Sequence, residues 1–473
     1  MEYEEIITAL EEISDKHIAE AEKPPKKRAK TFWKIAVAAV LVIAIGVTAM
    51  SAPARIHADV IAEASESRAM EWPNPQTYKD HDVWRVDVDQ WNAEREARGE
   101  ITAQALSGLS AFFREGNGRF LQTEKNENKL WSPVNAYIGL AMTTELTDGE
   151  TRQQVLDLLG AESVEELRKQ VSAVWESTYQ DDSNEVSVLA NSLWLENGLQ
   201  YNQEATDALS YHYYASVYQG DLGSTRMNKD IAAWINNNTG NFLEDSTKGI
   251  VLSPETVMAL YSTLYFQAKW SDEFSESKNT EDVFHAPDGD VRTVYMNKKL
   301  EQMDYYWGET FSAVNLWLKN GSRMWFILPD EGKTVNDVLS DGTYMEMVLA
   351  NQWEDSKYMK VNLSVPKFDV ASTTDLSEGL KDMGVTNVFT EGAADFSELT
   401  ADSPIYLTGA NQSVRVQIDE EGVKAAVYFE MKGAGSAAPP EEIIDFVLDR
   451  PFLFVIEKEN VPLFAGCVNN PEN

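Results

Sequence analysis

From about residue 101 to residue 473, segments of helical and strand-like spacing follow one another with no linker between them, so the whole stretch reads as one domain. Apolar residues recur at helical spacing over 103–120, 136–146, 151–159, 228–244 and 376–383. Strand-like runs occupy 186–195, 260–267, 324–328, 414–418, 452–456 and 463–468. No internal repeat is visible. The mixture predicts an α+β domain with large sheets. A hydrophobic share of 43% is enough for such a core. Cys467 is the single cysteine, so packing alone, without an intrachain disulfide, must hold the chain. The formal charge of -37 excludes a nucleic-acid partner, which needs clustered Lys and Arg.

The first hundred residues are different. Residues 1–31 join an acidic stretch to a basic cluster containing Lys26, Lys27, Arg28 and Lys30, and the run 35–54 carries no charge. About 20 apolar residues span a bilayer core, and the basic cluster would stay inside. The expectation is a cytoplasmic tail over 1–31 and one transmembrane helix over 32–54. The domain is then extracellular on a single-pass protein of the cell membrane. A cleaved signal and a buried core helix are the alternatives, and Ala52-Pro53-Ala54 and Ile56-His57-Ala58 offer small-residue cleavage sites. Residues 55–100 are polar with scattered Trp and Pro and no clear period, which predicts a stalk or irregular extension.

Catalytic chemistry is hard to find. Of the histidines His17, His57, His81, His212 and His285, only the last two fall in the domain, and neither accompanies a nucleophile motif. Gly433-Ala-Gly-Ser-Ala-Ala438 imitates a dinucleotide fingerprint, but Pro439-Pro440 follows where a helix must begin. No metal site and no cofactor is expected, and the chain does not read as an enzyme.

One segment is informative. After Gly422, Val423, Ala425, Val427, Phe429 and Met431 alternate with Lys424, Ala426, Tyr428, Glu430 and Lys432. Such alternation predicts a strand with one buried face, yet it runs straight into the small residues 433–438, which read as an exposed loop. An ordinary edge strand and its turn fit this pattern equally well.

The residues here resemble the serpin family over roughly 101–473. Glu420, Glu421, Gly422, Val423, Lys424, Ala425 and Ala426 are similar to the family's hinge. Trp131-Ser-Pro-Val-Asn135, Ile231-Ala-Ala-Trp234 with Asn238-Thr-Gly240, Leu264-Tyr-Phe-Gln-Ala-Lys-Trp270, Val365-Pro-Lys-Phe368, Ala394-Asp-Phe-Ser397 and the closing Asp449-Arg-Pro-Phe-Leu-Phe454 with Pro462-Leu-Phe-Ala-Gly466 follow in the family's order. The resemblance implies three β-sheets, eight or nine helices and an exposed reactive-centre loop. A target serine protease attacks the loop as substrate, and the cut loop then inserts as a strand and traps the acyl-enzyme. The resemblance implies a reactive bond at Ser436–Ala437. The small residues flanking it suit an elastase-like protease. It also implies a shutter of Asn135, Ser262 and Gln412 under the main sheet and a breach at Trp270. Val427 and Tyr428 are bulkier than the family's usual Ala and favour simple cleavage over insertion. A non-inhibitory member serving as a surface binding module is the alternative, and a monomer is expected.

Overall fold

A computed structural model describes residues 53–65, 78, 81–123, 127–181, 186–350, 353–401, 404–423 and 442–472. The expected tail 1–31 and nearly all of the expected anchor 32–54 lie outside the described residues. Among the described residues no helix is long and apolar enough to cross a membrane. A compact unit runs from Arg55 to Asn473.

Residues 55–100 correct the expected stalk. Asp59–Ala62 is a strand (β1), and His81–Phe120 is one helix of 40 residues (α1). The second half of α1 matches the helical spacing read over 103–120, whereas β1 and the first half of α1 escape a periodicity reading. β1 is an outer strand, exposed at its first two residues and half-buried at the last two, so no apolar alternation marks it. The start of α1 exposes Val83 and Val86 and buries no regular stripe.

Three sheets result. The first has the order β1, Ala215–Gly220 (β5), Val186–Glu196 (β4), Met258–Lys269 (β6) and Gly422–Val423 (β14), with Gln180–Asp181 (β3) pairing β4. The second has nine strands, built around the 19-residue strand Gly289–Trp307 (β8). On one side of β8 lie Ser356–Pro366 (β11) and Ile443–Val447 (β15), while Thr280–Ala286 (β7) pairs the opposite edge of its first half. On the other lie Phe311–Trp317 (β9), Arg323–Pro329 (β10), Phe452–Lys458 (β16), Val461–Val468 (β17) and Lys129–Trp131 (β2). The third is the pair Phe368–Asp375 (β12) and Asn411–Ile418 (β13).

Ten α-helices occur among the described residues, against the eight or nine expected. The excess lies in short helices such as the four-residue Glu244–Thr247, too short to show a period. Pro133–Leu146 (α2) starts on a Ser132 cap with Pro133 at its first turn and is buried along most of its length. Gly149–Leu159 (α3) and Val164–Thr178 (α4) follow it. Gln203–His212 (α5) precedes β5, and Thr225–Asn238 (α6) is capped by Ser224.

The main core contains Phe112 and Phe113 of α1, Tyr137 of α2, Leu193, Phe266, Phe326, Phe452 and Phe454. β16 and β17 are buried at every residue, as a continuous apolar run requires. A second apolar cluster joins α6 to the first sheet: Met227, Ile231, Trp234 and Ile235 of the helix meet Trp194 and Tyr218 of the strands.

Candidate functional site: a split sheet and its entering strand

β6 is hydrogen-bonded to β4 over residues 258–267, and on its other side, among the described residues, only to the two residues of β14. β13 pairs only with β12 among the described residues. The two strands face one another across a slot, because α2 reaches both from below. Asn135 Nδ2 donates to Ser262 Oγ of β6 at 2.8 Å, and Asn135 Oδ1 accepts from Gln412 Nε2 of β13 at 3.2 Å. Gln412 is fixed in turn by Ser132, whose N–H donates to Gln412 Oε1 at 2.8 Å and whose carbonyl accepts from Nε2 at 3.0 Å. The structure therefore brings Asn135, Ser262 and Gln412 together, with Ser132 as a fourth member that sequence reasoning missed. Two unpaired strand edges flanking a slot are a template for an added strand.

The added strand has begun. β14 runs antiparallel to β6, with Gly422 opposite Lys269 and Val423 opposite Ala268. Val423 is buried. Gly422 sits at φ 151°, and a Cβ there would lie 2.5 Å from the Ala268 carbonyl oxygen, so only glycine fits this approach. Asp419 shapes the turn by accepting the N–H groups of Glu421 (2.9 Å) and Gly422 (3.2 Å).

Trp270, buried just beyond β6, holds this entry. Its indole N–H donates to the Asp419 carbonyl at 2.9 Å, and its backbone N–H donates to the Glu421 carbonyl at 3.0 Å. Glu421 lies 3.4 Å from Lys269. Glu420 is buried and pairs with Lys367 at 2.6 Å, while Asn279 donates to the same carboxylate. Burial alone would push the Glu420 carboxyl up. The hydrogen bonds from Lys367 and Asn279 outweigh it and hold the carboxyl below its usual value. Lys367 stands inside the motif 365–368, so that signal was present in the sequence, whereas Asn279 had none.

The slot is also crossed on the helix side. The turn after α6 places Gly240 against the Tyr265 ring of β6. Two residues on, the Phe242 carbonyl accepts from Arg415 of β13 at 3.2 Å, and the guanidinium lies 4.6 Å over the Phe242 ring.

Lys424, Ala425, Ala426 and the expected reactive bond Ser436–Ala437 lie outside the described residues. The two histidines left as candidate bases are in no nucleophilic arrangement. His285 pairs with Asp290 at 2.8 Å, and burial with nearby Arg168 pushes His212 down.

A strand entering beside β6, with β6 and β13 left unpaired to one another among the described residues, defines a class of protein whose main sheet can take one more strand. Residues 117–471 match the family described as serpin (serine protease inhibitor), and the chain belongs to that family. A serine proteinase inhibitor from Cavia porcellus is 27% identical, covering 76% of this chain and 88% of the relative. An alpha-1-antiproteinase from Callosciurus caniceps is 28% identical over 81% of this chain and 93% of its own length. In fold the chain is similar to the thermophilic serpin tengpin in its native state (TM-score 0.69, 23% identity, 87% of this chain and 100% of that one). It is also similar to thyroxine-binding globulin (TM-score 0.63, 22% identity, 78% and 100%).

Proposed function

We propose that this chain inhibits a serine protease by offering the loop after Val423 as substrate and then inserting it into the slot. The carrying observation is β14: two hinge residues are already paired with β6, and no other described residue pairs with that edge. Continuing the register puts Phe429 opposite Ser262 and Gly433 opposite Met258, so the segment to Gly433 spans the whole of β6. Val427, Phe429 and Met431 then share the buried face of Val423. Each contributes about 1.5–3 kcal/mol on burial. Phe429 arrives on the Asn135–Gln412 hydrogen bond, which must break for insertion to finish.

Ser436–Ala437 is the proposed reactive bond, and its small neighbours support an elastase-like target. The inhibitor names of the sequence relatives support inhibition of a protease. A purely binding role has less support, because the hinge carries no charge or proline at the inward positions Val423 and Ala425. The uncharged run 35–54 after a basic cluster supports anchoring of a monomeric domain outside the cell membrane.

The test is a denaturing gel of the purified domain mixed with elastase-like and trypsin-like proteases. A detergent-stable complex formed by cutting after Ser436, with a higher melting temperature for the cut protein, is the expected result. Cleavage there with neither effect defeats the proposal.

A further inference from the structure

Residues 55–65 have no part in loop insertion, yet they are fastened at several places. β1 pairs antiparallel with β5, setting Asp59 against Gln219 and Val60 against Tyr218. Ile56 and Ala58 pack against the apolar cluster that joins α6 to the sheet. Asp230 of α6 is only 4% exposed. Its Oδ2 accepts the His57 backbone N–H at 3.1 Å, and its Oδ1 lies 3.1 Å from His57 Nδ1. At the far end, Ser65 donates from its N–H (3.2 Å) and its hydroxyl (3.0 Å) to the Ser210 carbonyl of α5. Ser210 returns a hydrogen bond from its hydroxyl to the Glu63 carbonyl.

We infer that residues 55–65 are a strap that holds α6 down on the main sheet and thereby slows the opening of the slot. The inference rests on the insertion reading above. α6 runs into the turn that lies across the slot, with Gly240 on Tyr265 of β6 and Phe242 under Arg415 of β13. In the continued register, residue 426 comes opposite Tyr265 and residue 428 opposite Thr263, both on the face that carries Tyr265. Tyr428 is too large to pass while the turn rests on that face, so the turn and the end of α6 must lift. Lifting α6 separates Asp230 from His57 and breaks up the apolar cluster against which Ile56 and Ala58 pack. A chain without these contacts meets less resistance at the same step.

Two full-length variants test the strap. Asp230→Ala removes the acceptor of His57, and Ile56→Ser weakens the apolar seat without touching the hinge or the slot. Hydrogen exchange is followed in residues 239–252 and in β6, with β16 as the internal reference. Both variants should exchange about tenfold faster in the first two regions, the factor expected for losing one charge-assisted hydrogen bond or a comparable apolar contact, while β16 is unchanged. Both should also turn faster into a heat-resistant form on storage. Unaltered exchange at 239–252 in both variants overturns the strap, and so does an acceleration that is equal in β16. Failure of the inhibitory reading shows itself elsewhere, as a wild-type chain that gains no heat resistance when its loop is cut, and the exchange result still decides the strap.

Discussion

Glu420 and Asn135 both tie the neighbourhood of β6 to the far side of the slot, and they do so with different chemistry. At the hinge a buried carboxylate is gripped by Lys367 and Asn279 beside a strand that has already entered. Midway down, a neutral amide links a hydroxyl to a second amide, and no described strand pairs with β6 on that side. The difference teaches how a sheet can be committed and held at once. The charged end fixes where the strand starts, and the neutral middle decides whether it goes on. Neutral hydrogen bonds net less than charge-assisted ones, so the middle is the place where one large side chain can force passage.

The sharpest way to break this comparison is Val423→Arg. The guanidinium would have to stay in a buried position, which is strongly unfavourable. Loop cleavage should continue at its normal rate while the detergent-stable complex disappears, as read on a gel. Lys367→Gln should come next. It leaves the Glu420 carboxylate without its cation, costing about 1.5–3 kcal/mol in the melting of the uncut protein. The pH dependence has a definite sign. Because the folded Glu420 carboxyl is depressed, its contribution is complete above the unfolded value of about 4.3 and is lost as pH falls through the lower folded value. Acid should therefore release the hinge in the wild type, followed through Trp270 fluorescence, and this step should shrink in Lys367→Gln.

Asn135→Ser probes the middle and should destabilise the uncut form by about 1–3 kcal/mol, since it strands Ser262 and leaves Gln412 only its bonds to Ser132. Adding Ser262→Asn should restore part of the loss in a double-mutant cycle. Strictly additive losses would remove the idea that the three side chains act as a unit. The smallest effect is an absence: because Gln412 does not titrate, the Asn135–Gln412 link itself should add no step between about pH 5 and 8. Gln412→His should introduce one near the imidazole value of about 6.5, visible in exchange rates across β13.

Much of the site was legible from residue order. The alternation 423–431 predicted a one-faced strand, and its one described residue, Val423, is buried against β6. The resemblance led to Asn135, Ser262 and Gln412, and the structure joins them by hydrogen bonds. What stayed hidden depends on contacts with no local mark. Asn279 meets Glu420 from 141 positions away. Phe242 meets Arg415 across 173. β1 was unreadable for a related cause: an edge strand half in water needs few apolar residues, and its meaning comes from β5, β5 itself having been passed over. The eight or nine helices implied by the resemblance fall short of the ten among the described residues, which include helices of a single turn such as Glu244–Thr247.

The nine-stranded sheet gives the cut protein an unusual integrity. A break anywhere between Val423 and Glu442 separates the chain into a long fragment and a short one. Yet the short fragment supplies β15, parallel to β11 at the sheet's rim, and β16 and β17, which are interleaved between β10 and β2. Two of its three strands are therefore woven into the sheet interior, and only the rim strand has an edge from which to peel. The severed molecule should travel as a single particle in gel filtration and come apart only in denaturant. The loop can be spent without shedding a part.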